Sequence, residues 1–118
     1  MAEAEQKLAA QTAGWTFLTN HAHVLLSLAE NGEMRIRDLA LRVGITERAV
    51  QRIIADLAAS GVLLRERSGR RNRYTIRGEC PLRHAVEAHC QVKDLLAMVS
   101  ARRGADQASE LAEAVSVG

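Results

Sequence analysis

The sequence predicts a mainly α-helical domain that carries one small β-hairpin. Leu, Val, Ile and Ala dominate the apolar composition, and aromatic residues make up only 3% of the chain, a balance that favours helix. Apolar residues recur at i, i+3, i+4 and i+7 in several segments, which is the spacing of one buried helical face. A segment after residue 61 instead alternates apolar and polar residues, as a half-buried strand does. A chain of 118 residues accommodates one such domain with tails, and its core needs neither disulfides nor metal.

Residues 36–57 predict two short helices joined by a tight turn. The first helix has apolar residues at Ile36, Leu39, Ala40 and Val43, and the second has them at Val50, Ile53, Ile54 and Leu57. Gly44 lies between them, where a sharp reversal needs a residue that tolerates positive φ. Thr46 is well placed to cap the second helix, and the helix dipole favours Glu47 in its first turn. Two helices joined in this way form a helix-turn-helix, whose second helix can enter the major groove of DNA.

Another helix is predicted ahead of the helix-turn-helix, over about residues 21–30. It follows Thr19 and Asn20, either of which can cap it. The third helix of the chain is predicted to end at Ser60-Gly61, with glycine at the position where helices favour a left-handed residue.

A β-hairpin is predicted next, with strands over residues 62–67 and 72–77. In the second strand, Tyr74 and Ile76 alternate with polar residues, which indicates one buried face. The turn between the strands, residues 68–71, is positively charged.

A last helix is predicted from Pro81, because proline is favoured at the first helical position. Its apolar residues recur at 3-4 spacing, which suits packing against a partner helix. We therefore expect a dimer interface along this helix at Leu82, Val86, His89, Val92, Leu96 and Val99. The expected organisation is a tail or loose helix over 1–14, a helix-turn-helix domain over 15–78, the dimerisation helix over 79–101 and a flexible tail over 102–118.

The net charge of +2 conceals an uneven distribution. Residues 35–77 contain eleven arginines and four acidic residues, which gives +7, whereas residues 1–34 sum to −3 and residues 78–118 to −2. Every base in the positive block is Arg, whose guanidinium donates two parallel hydrogen bonds to phosphate or guanine. A solvated basic surface is the alternative, and the coincidence of charge with the helix-turn-helix argues against it.

Several classes of protein are not expected. No apolar run is long enough to span a membrane, and the acidic N-terminus lacks the apolar core of a secretion signal. A cytoplasmic protein without a membrane partner is therefore expected. The sequence has no Gly-rich phosphate loop and no nucleophile motif, so no enzymatic activity is expected.

The two cysteines, Cys80 and Cys90, are too few for a disulfide framework. On the predicted last helix they lie about 13 Å apart along the axis, too far for a bond within one chain, while an interchain bond stays open. Together with His84 and His89 they are metal-ligand residue types, but their spacing is not that of a known zinc module. No metal and no other cofactor is predicted.

The order of these elements resembles the winged helix-turn-helix regulators of bacteria and archaea, the class that holds the MarR-like and ArsR-like families. The resemblance covers roughly residues 15–99. Its most specific parts are the turn pattern Leu39-Ala40, Val43-Gly44-Ile45, Val50 and Ile53, and the hairpin phrase Gly69-Arg-Arg-Asn-Arg-Tyr-Thr-Ile. The resemblance implies a C-terminal dimerisation helix and a transcription regulator whose third helix reads the major groove. It also implies that the hairpin, or wing, touches the DNA backbone or the minor groove.

The third helix supplies the candidate DNA-reading residues. Its face opposite the apolar residues carries Thr46, Arg48, Gln51, Arg52 and Ala55. We interpret Gln51 and either Arg48 or Arg52 as base readers, because Gln pairs with adenine and Arg with guanine. Ala55 can touch a thymine methyl group. The alternative is that these are ordinary exposed residues.

Contacts that position the DNA are expected from the wing and from the start of the second helix. In the wing, the candidates for phosphate or minor-groove contact are Arg70, Arg71, Asn72 and Arg73. Arg35 and Arg37 can contact the DNA backbone from the second helix. A solvated hairpin tip and a solvated helix end are the alternatives.

The sequence therefore predicts a homodimeric transcription regulator that binds double-stranded DNA in a sequence-specific manner and acts as a repressor. Two recognition helices about one DNA turn apart, roughly 34 Å, require an inverted-repeat operator. One alternative is an architectural DNA-binding protein without sequence choice, and another is a winged helix used for protein–protein assembly. The sequence identifies no small-molecule effector.

Overall fold

The computed structural model describes residues 14–100, and these form four helices and a two-stranded antiparallel hairpin. The order along the chain is α1 (Asn20–Glu30), α2 (Ile36–Val43), α3 (Glu47–Ala59), β1 (Leu63–Ser68), β2 (Arg71–Ile76) and α4 over residues 92–100. The predicted fold class, mainly α with a small β-hairpin in a winged helix-turn-helix, is confirmed. The tails predicted over 1–14 and 102–118 lie outside the described residues, apart from Gly14.

The helix ends follow the local chemistry of the sequence. Thr19, rather than Asn20, caps α1, and its side-chain oxygen accepts a hydrogen bond from the Ala22 amide at 3.3 Å. The Thr46 hydroxyl caps α3 in the same way. Gly44 ends α2 in the left-handed conformation, with φ of 82°, so the predicted reversal between the two helices is confirmed.

The core lies between the three N-terminal helices and the base of the hairpin. All four apolar residues predicted for the buried face of α3, which are Val50, Ile53, Ile54 and Leu57, are buried there. They pack with α1 and α2 residues and with Val62, Leu63, Tyr74 and Val92. Because α3 directs one face into this core, its opposite face is left in solvent.

The hairpin is built around a two-residue loop, Gly69-Arg70, with Ser68 paired to Arg71. Gly69 has φ of 65°, as the first loop residue of a type II′ turn requires. The prediction of a hairpin is confirmed, although its strands each begin one residue away from the predicted bounds. The amide of Tyr74 also donates a hydrogen bond to the Gly32 carbonyl oxygen at 2.8 Å, which attaches the wing to the loop after α1.

The last helix is shorter than predicted, because residues 82–90 form bends and turns and α4 begins only at residue 92. The chain before and after these turns pairs antiparallel at Pro81 and Gln91, and the Lys93 amide donates to the Gly78 carbonyl at 2.8 Å. A continuous helix from Pro81 would use the same backbone groups within itself, so the pairing excludes it. The prediction of one helix over 79–101 was wrong.

The shorter last helix changes the predicted dimer interface. Leu82, Val86 and His89 lie on the turns and not on a helix face. Val92 is 4% exposed and belongs to the core of its own protomer, so a partner cannot reach it. Leu96 and Leu82 pack against that same core. Part of the 3-4 apolar spacing of this segment therefore comes from residues that pack into the core of the chain itself rather than against a partner.

The same pairing overturns the helical separation predicted for Cys80 and Cys90. The bridge between Pro81 and Gln91 places the two cysteines on neighbouring antiparallel segments. Both are free thiols, and the Cys80 Sγ donates toward the Gly61 carbonyl oxygen at 3.6 Å. Within residues 14–100, no helix has both the length and the apolar character that crossing a membrane requires.

Candidate nucleic-acid interface

The outer face of α3 carries the side chains predicted to read DNA. Arg48, Gln51, Arg52 and Ala55 are all exposed there. They lie in the first three turns of the helix and point away from the four buried residues of the same helix. Thr46 differs from them, because its hydroxyl oxygen accepts a hydrogen bond from the Ala49 amide at 3.0 Å. Thr46 is therefore the N-cap of α3.

The strand register divides the predicted wing residues between two faces. Asn72 pairs with Arg67 and is half-buried, on the face that also carries the buried Tyr74. Arg71 and Arg73 alternate with them and lie on the opposite, exposed face, where Arg73 stands across from Glu66. Sequence position alone groups all of these residues at one tip, whereas the pleat separates them.

The hairpin face that carries Tyr74 and Asn72 also holds two arginines of β1 that were not predicted as site residues. Arg65 lies opposite Tyr74, and its guanidinium carbon is 6.0 Å from the centre of the tyrosine ring. Arg67 lies opposite Asn72, further toward the tip. The strand register identifies them, because Arg65 and Arg67 follow Leu63 at every second position of β1 and therefore lie on the same face of the hairpin as Leu63.

The start of α2 lies close to both the wing and the recognition helix α3. Arg35 holds the position before α2 and makes no side-chain cap, and it lines a cleft with the wing residues Arg70 and Arg71. Arg37 lines a second cleft with Thr46 at the beginning of α3. The structure therefore brings Arg35 to the wing and Arg37 to the recognition helix.

One arginine–glutamate ion pair and one histidine–carboxylate contact occur among residues 14–100, and neither uses an arginine of the predicted DNA surface. Arg42 pairs with Glu30, which joins α2 to α1. The His21 Nε2 lies 2.9 Å from the Asp56 Oδ2, which joins the start of α1 to the recognition helix. The second pair spans 35 residues of sequence, so no local pattern predicts it.

Comparison with known proteins identifies the family to which this winged helix-turn-helix belongs. The family model described as MarR family matches residues 15–73, half of the chain. The chain belongs to the MarR family. It is also similar to the PcaV transcriptional regulator from Streptomyces coelicolor, solved in complex with its natural ligand, at 18% identity and a TM-score of 0.48, over 97% of this chain and 85% of that chain. A sequence search of the curated proteins finds no match.

As a MarR-family member, the protein is a DNA-binding transcription regulator with a winged helix-turn-helix. Members of this family are regulators and not enzymes, and they usually form dimers. The matched segment contains the whole helix-turn-helix and the wing as far as Arg73. Among the described residues 14–100, no three His, Cys, Asp or Glu side chains come together to hold a metal ion.

Proposed function

We propose that this MarR-family protein is a repressor that binds a specific inverted-repeat operator as a homodimer. The exposed outer face of α3 carries the proposal, because it presents the neutral amide of Gln51 beside the two arginines Arg48 and Arg52. Gln donates to and accepts from the adenine edge, and Arg donates two hydrogen bonds to guanine. Electrostatic attachment to phosphates alone does not require a neutral amide on this face, whereas recognition of a base edge does.

We assign the remaining basic residues to contacts that raise the affinity for DNA without selecting its sequence. Arg70 lies at the tip of the wing, and Arg71 and Arg73 follow it on the exposed face of β2. Contacts from such residues to phosphate oxygens fix the position and register of the protein on the duplex. Asn72 is half-buried, so we assign it a weaker contact than its arginine neighbours.

For the dimer, we assign the partner surface to α4, within the segment 79–101, and DNA binding to residues 15–78. Met98 is 60% exposed on α4 and supplies apolar surface that the protomer itself does not cover. Two recognition helices related by a twofold axis would read half-sites about 34 Å apart. A dimer bound in this way over a promoter excludes polymerase, which is the basis for proposing repression.

The decisive experiment is DNA binding by fluorescence anisotropy, with the DNA upstream of the protein's own gene compared with scrambled duplex across a salt series. We expect the upstream DNA to bind about a thousandfold more tightly, at the low end for specific regulators. Gln51→Ala removes no charge, so it should reduce this preference without changing the salt slope. Arg83→Ala is the charge-loss control, because Arg83 is exposed on the turns that precede α4.

Equal affinity for the two DNAs with a steep salt slope would contradict the proposal and favour an architectural role. Weak DNA binding even at low salt, together with a stable protein complex, would favour an assembly module. The basic wing argues against that last role, because the centre of a protein interface is usually depleted in charge.

A further inference from the structure

The contact between His21 and Asp56 connects the first turn of α1 to the last turn of the recognition helix α3. The His21 Nε2 lies 2.9 Å from the Asp56 Oδ2, and the carboxylate oxygen accepts the hydrogen bond. The helix dipoles explain neither residue, because cations are disfavoured at the start of a helix and anions at its end. The contact with the other helix is therefore the favourable interaction that the fold gives to each side chain.

Asp56 also lies one helical turn after Arg52, which is one of the two arginines assigned above to guanine. Side chains four residues apart on a helix are neighbours, and opposite charges at this spacing attract each other. Both residues are exposed, so burial does not keep them apart. Among residues 14–100, however, Arg52 forms no ion pair, and Asp56 contacts His21 instead.

We propose that His21 holds the Asp56 carboxylate away from Arg52 and thereby leaves the Arg52 guanidinium available to DNA. A carboxylate paired with Arg52 would occupy the same forked donors that guanine uses. His21 is a positioning residue in this arrangement, because it acts through Asp56 and not on a base. The inference rests on the proposed function, in which Arg52 contributes to reading the operator.

Two other charged residues lie near His21, and neither replaces Asp56. Arg83 and Glu87, on the turns before α4, line a cleft together with His21. Within the described residues 14–100, Glu87 forms no ion pair with His21, and Arg83 repels a protonated imidazole. Asp56 is therefore the carboxylate that His21 holds.

The first test needs no DNA, because the ¹⁵N-edited NMR signal of the Arg52 Nε–H group reports whether a carboxylate pairs with the guanidinium. We expect this signal to shift in His21→Ala, which releases Asp56, and to return in the double variant His21→Ala with Asp56→Asn. His21→Gln should shift it less, because the glutamine amide still donates to Asp56. An Arg52 signal that His21→Ala leaves unmoved would overturn the proposal.

The second test is the affinity for the upstream DNA, measured by fluorescence anisotropy. His21→Ala should bind this DNA about two- to fivefold more weakly, the effect that one exposed ion pair competing for Arg52 supports. Adding Asp56→Asn to His21→Ala should restore the affinity, and Asp56→Asn alone should not weaken binding. His84→Ala, which removes an exposed histidine from the turns before α4, is the control and should bind as the wild type does.

A contact that only supports the fold predicts a different pattern. His21→Ala and Asp56→Asn would then weaken binding alike, and the double variant would not recover, which would contradict the proposal. Thermal unfolding of each variant shows whether the fold is intact. If the wild type shows no preference for the upstream DNA while the Arg52 signal moves as expected, the proposed function fails and the hold on Asp56 stands.

Discussion

The amide of Tyr74 and the carbonyl oxygen of Gly32 are joined by a hydrogen bond of 2.8 Å, which attaches the second strand of the wing to the loop after α1. The contact is close enough that a Cβ atom added at Gly32 would lie 2.7 Å from the Tyr74 carbonyl oxygen. Backbone groups on both sides leave no flexible side chain to move aside. Position 32 therefore needs glycine for space.

Gly32→Ala should destabilise the protein, because the loop or the wing strand must shift to accept the new methyl group. We expect a loss of about 1–3 kcal/mol in the free energy of unfolding, the usual cost of overpacking. Urea denaturation followed by circular dichroism measures it. Glu33→Ala at the exposed neighbouring position is the control and should stay within about 0.5 kcal/mol. Equal stability of the two variants would contradict the close contact.

Gly44 ends α2 with φ of 82°, a conformation that costs other residues free energy. We expect Gly44→Ala to lower the free energy of unfolding by about 1–2 kcal/mol. Gly44→Asn should lose less, because asparagine visits the left-handed region more readily. The order of the denaturation midpoints should be glycine, then asparagine, then alanine. A different order would mean that the turn adopts another backbone conformation.

Ile54 is among the largest fully buried side chains, at 1% exposure, on the core face of α3. Removing one methylene with Ile54→Val should cost about 0.5–1.5 kcal/mol in unfolding free energy, through lost burial and a small cavity. Leu64→Ala, a larger truncation at a side chain that is 47% exposed, is the control and should cost less than a buried Leu→Ala change. Thermal unfolding checks both. An Ile54→Val variant as stable as the wild type would place this residue outside the core.

Met98 gives the sharpest test of the proposed dimer. It is 60% exposed on α4, so Met98→Asp should leave the protomer folded while placing a charge in the proposed interface. We expect sedimentation equilibrium to show a dimer for the wild type and a shift toward monomer for the variant. Lys93→Asp is the control for charge alone, because Lys93 is exposed on the same helix but about 140° around its axis from Met98. A variant that stays fully dimeric would locate the interface elsewhere.

Local patterns were sufficient wherever neighbouring residues decide the structure. The Thr46 cap, the left-handed Gly44 and the tight turn at Gly69 follow from the chemistry of single residues. The buried face of α3 follows from apolar spacing, and the exposed positions of Gln51 and Arg52 follow from the same geometry. The helix-turn-helix was predictable for this reason.

The apolar spacing after Pro81 was misleading because spacing does not record what covers a residue. Val92 has the periodicity of an interface position, yet it packs into the core of its own protomer. The pairing of Pro81 with Gln91, ten residues later, consumes backbone groups that a helix would need. No propensity at either residue signals that pairing.

The sequence by itself determined the elements of the DNA-binding unit, their order and the face of α3 that meets solvent, because these depend on periodicity and on residues within a few positions of each other. Only the tertiary structure decided which charges share a space. The cleft that Arg35 and Arg71 both line, the contact of His21 with Asp56 and the attachment of Tyr74 to Gly32 all involve residues far apart in the chain. Such contacts depend on how the helices and the wing pack together, and that packing is a property of the whole core.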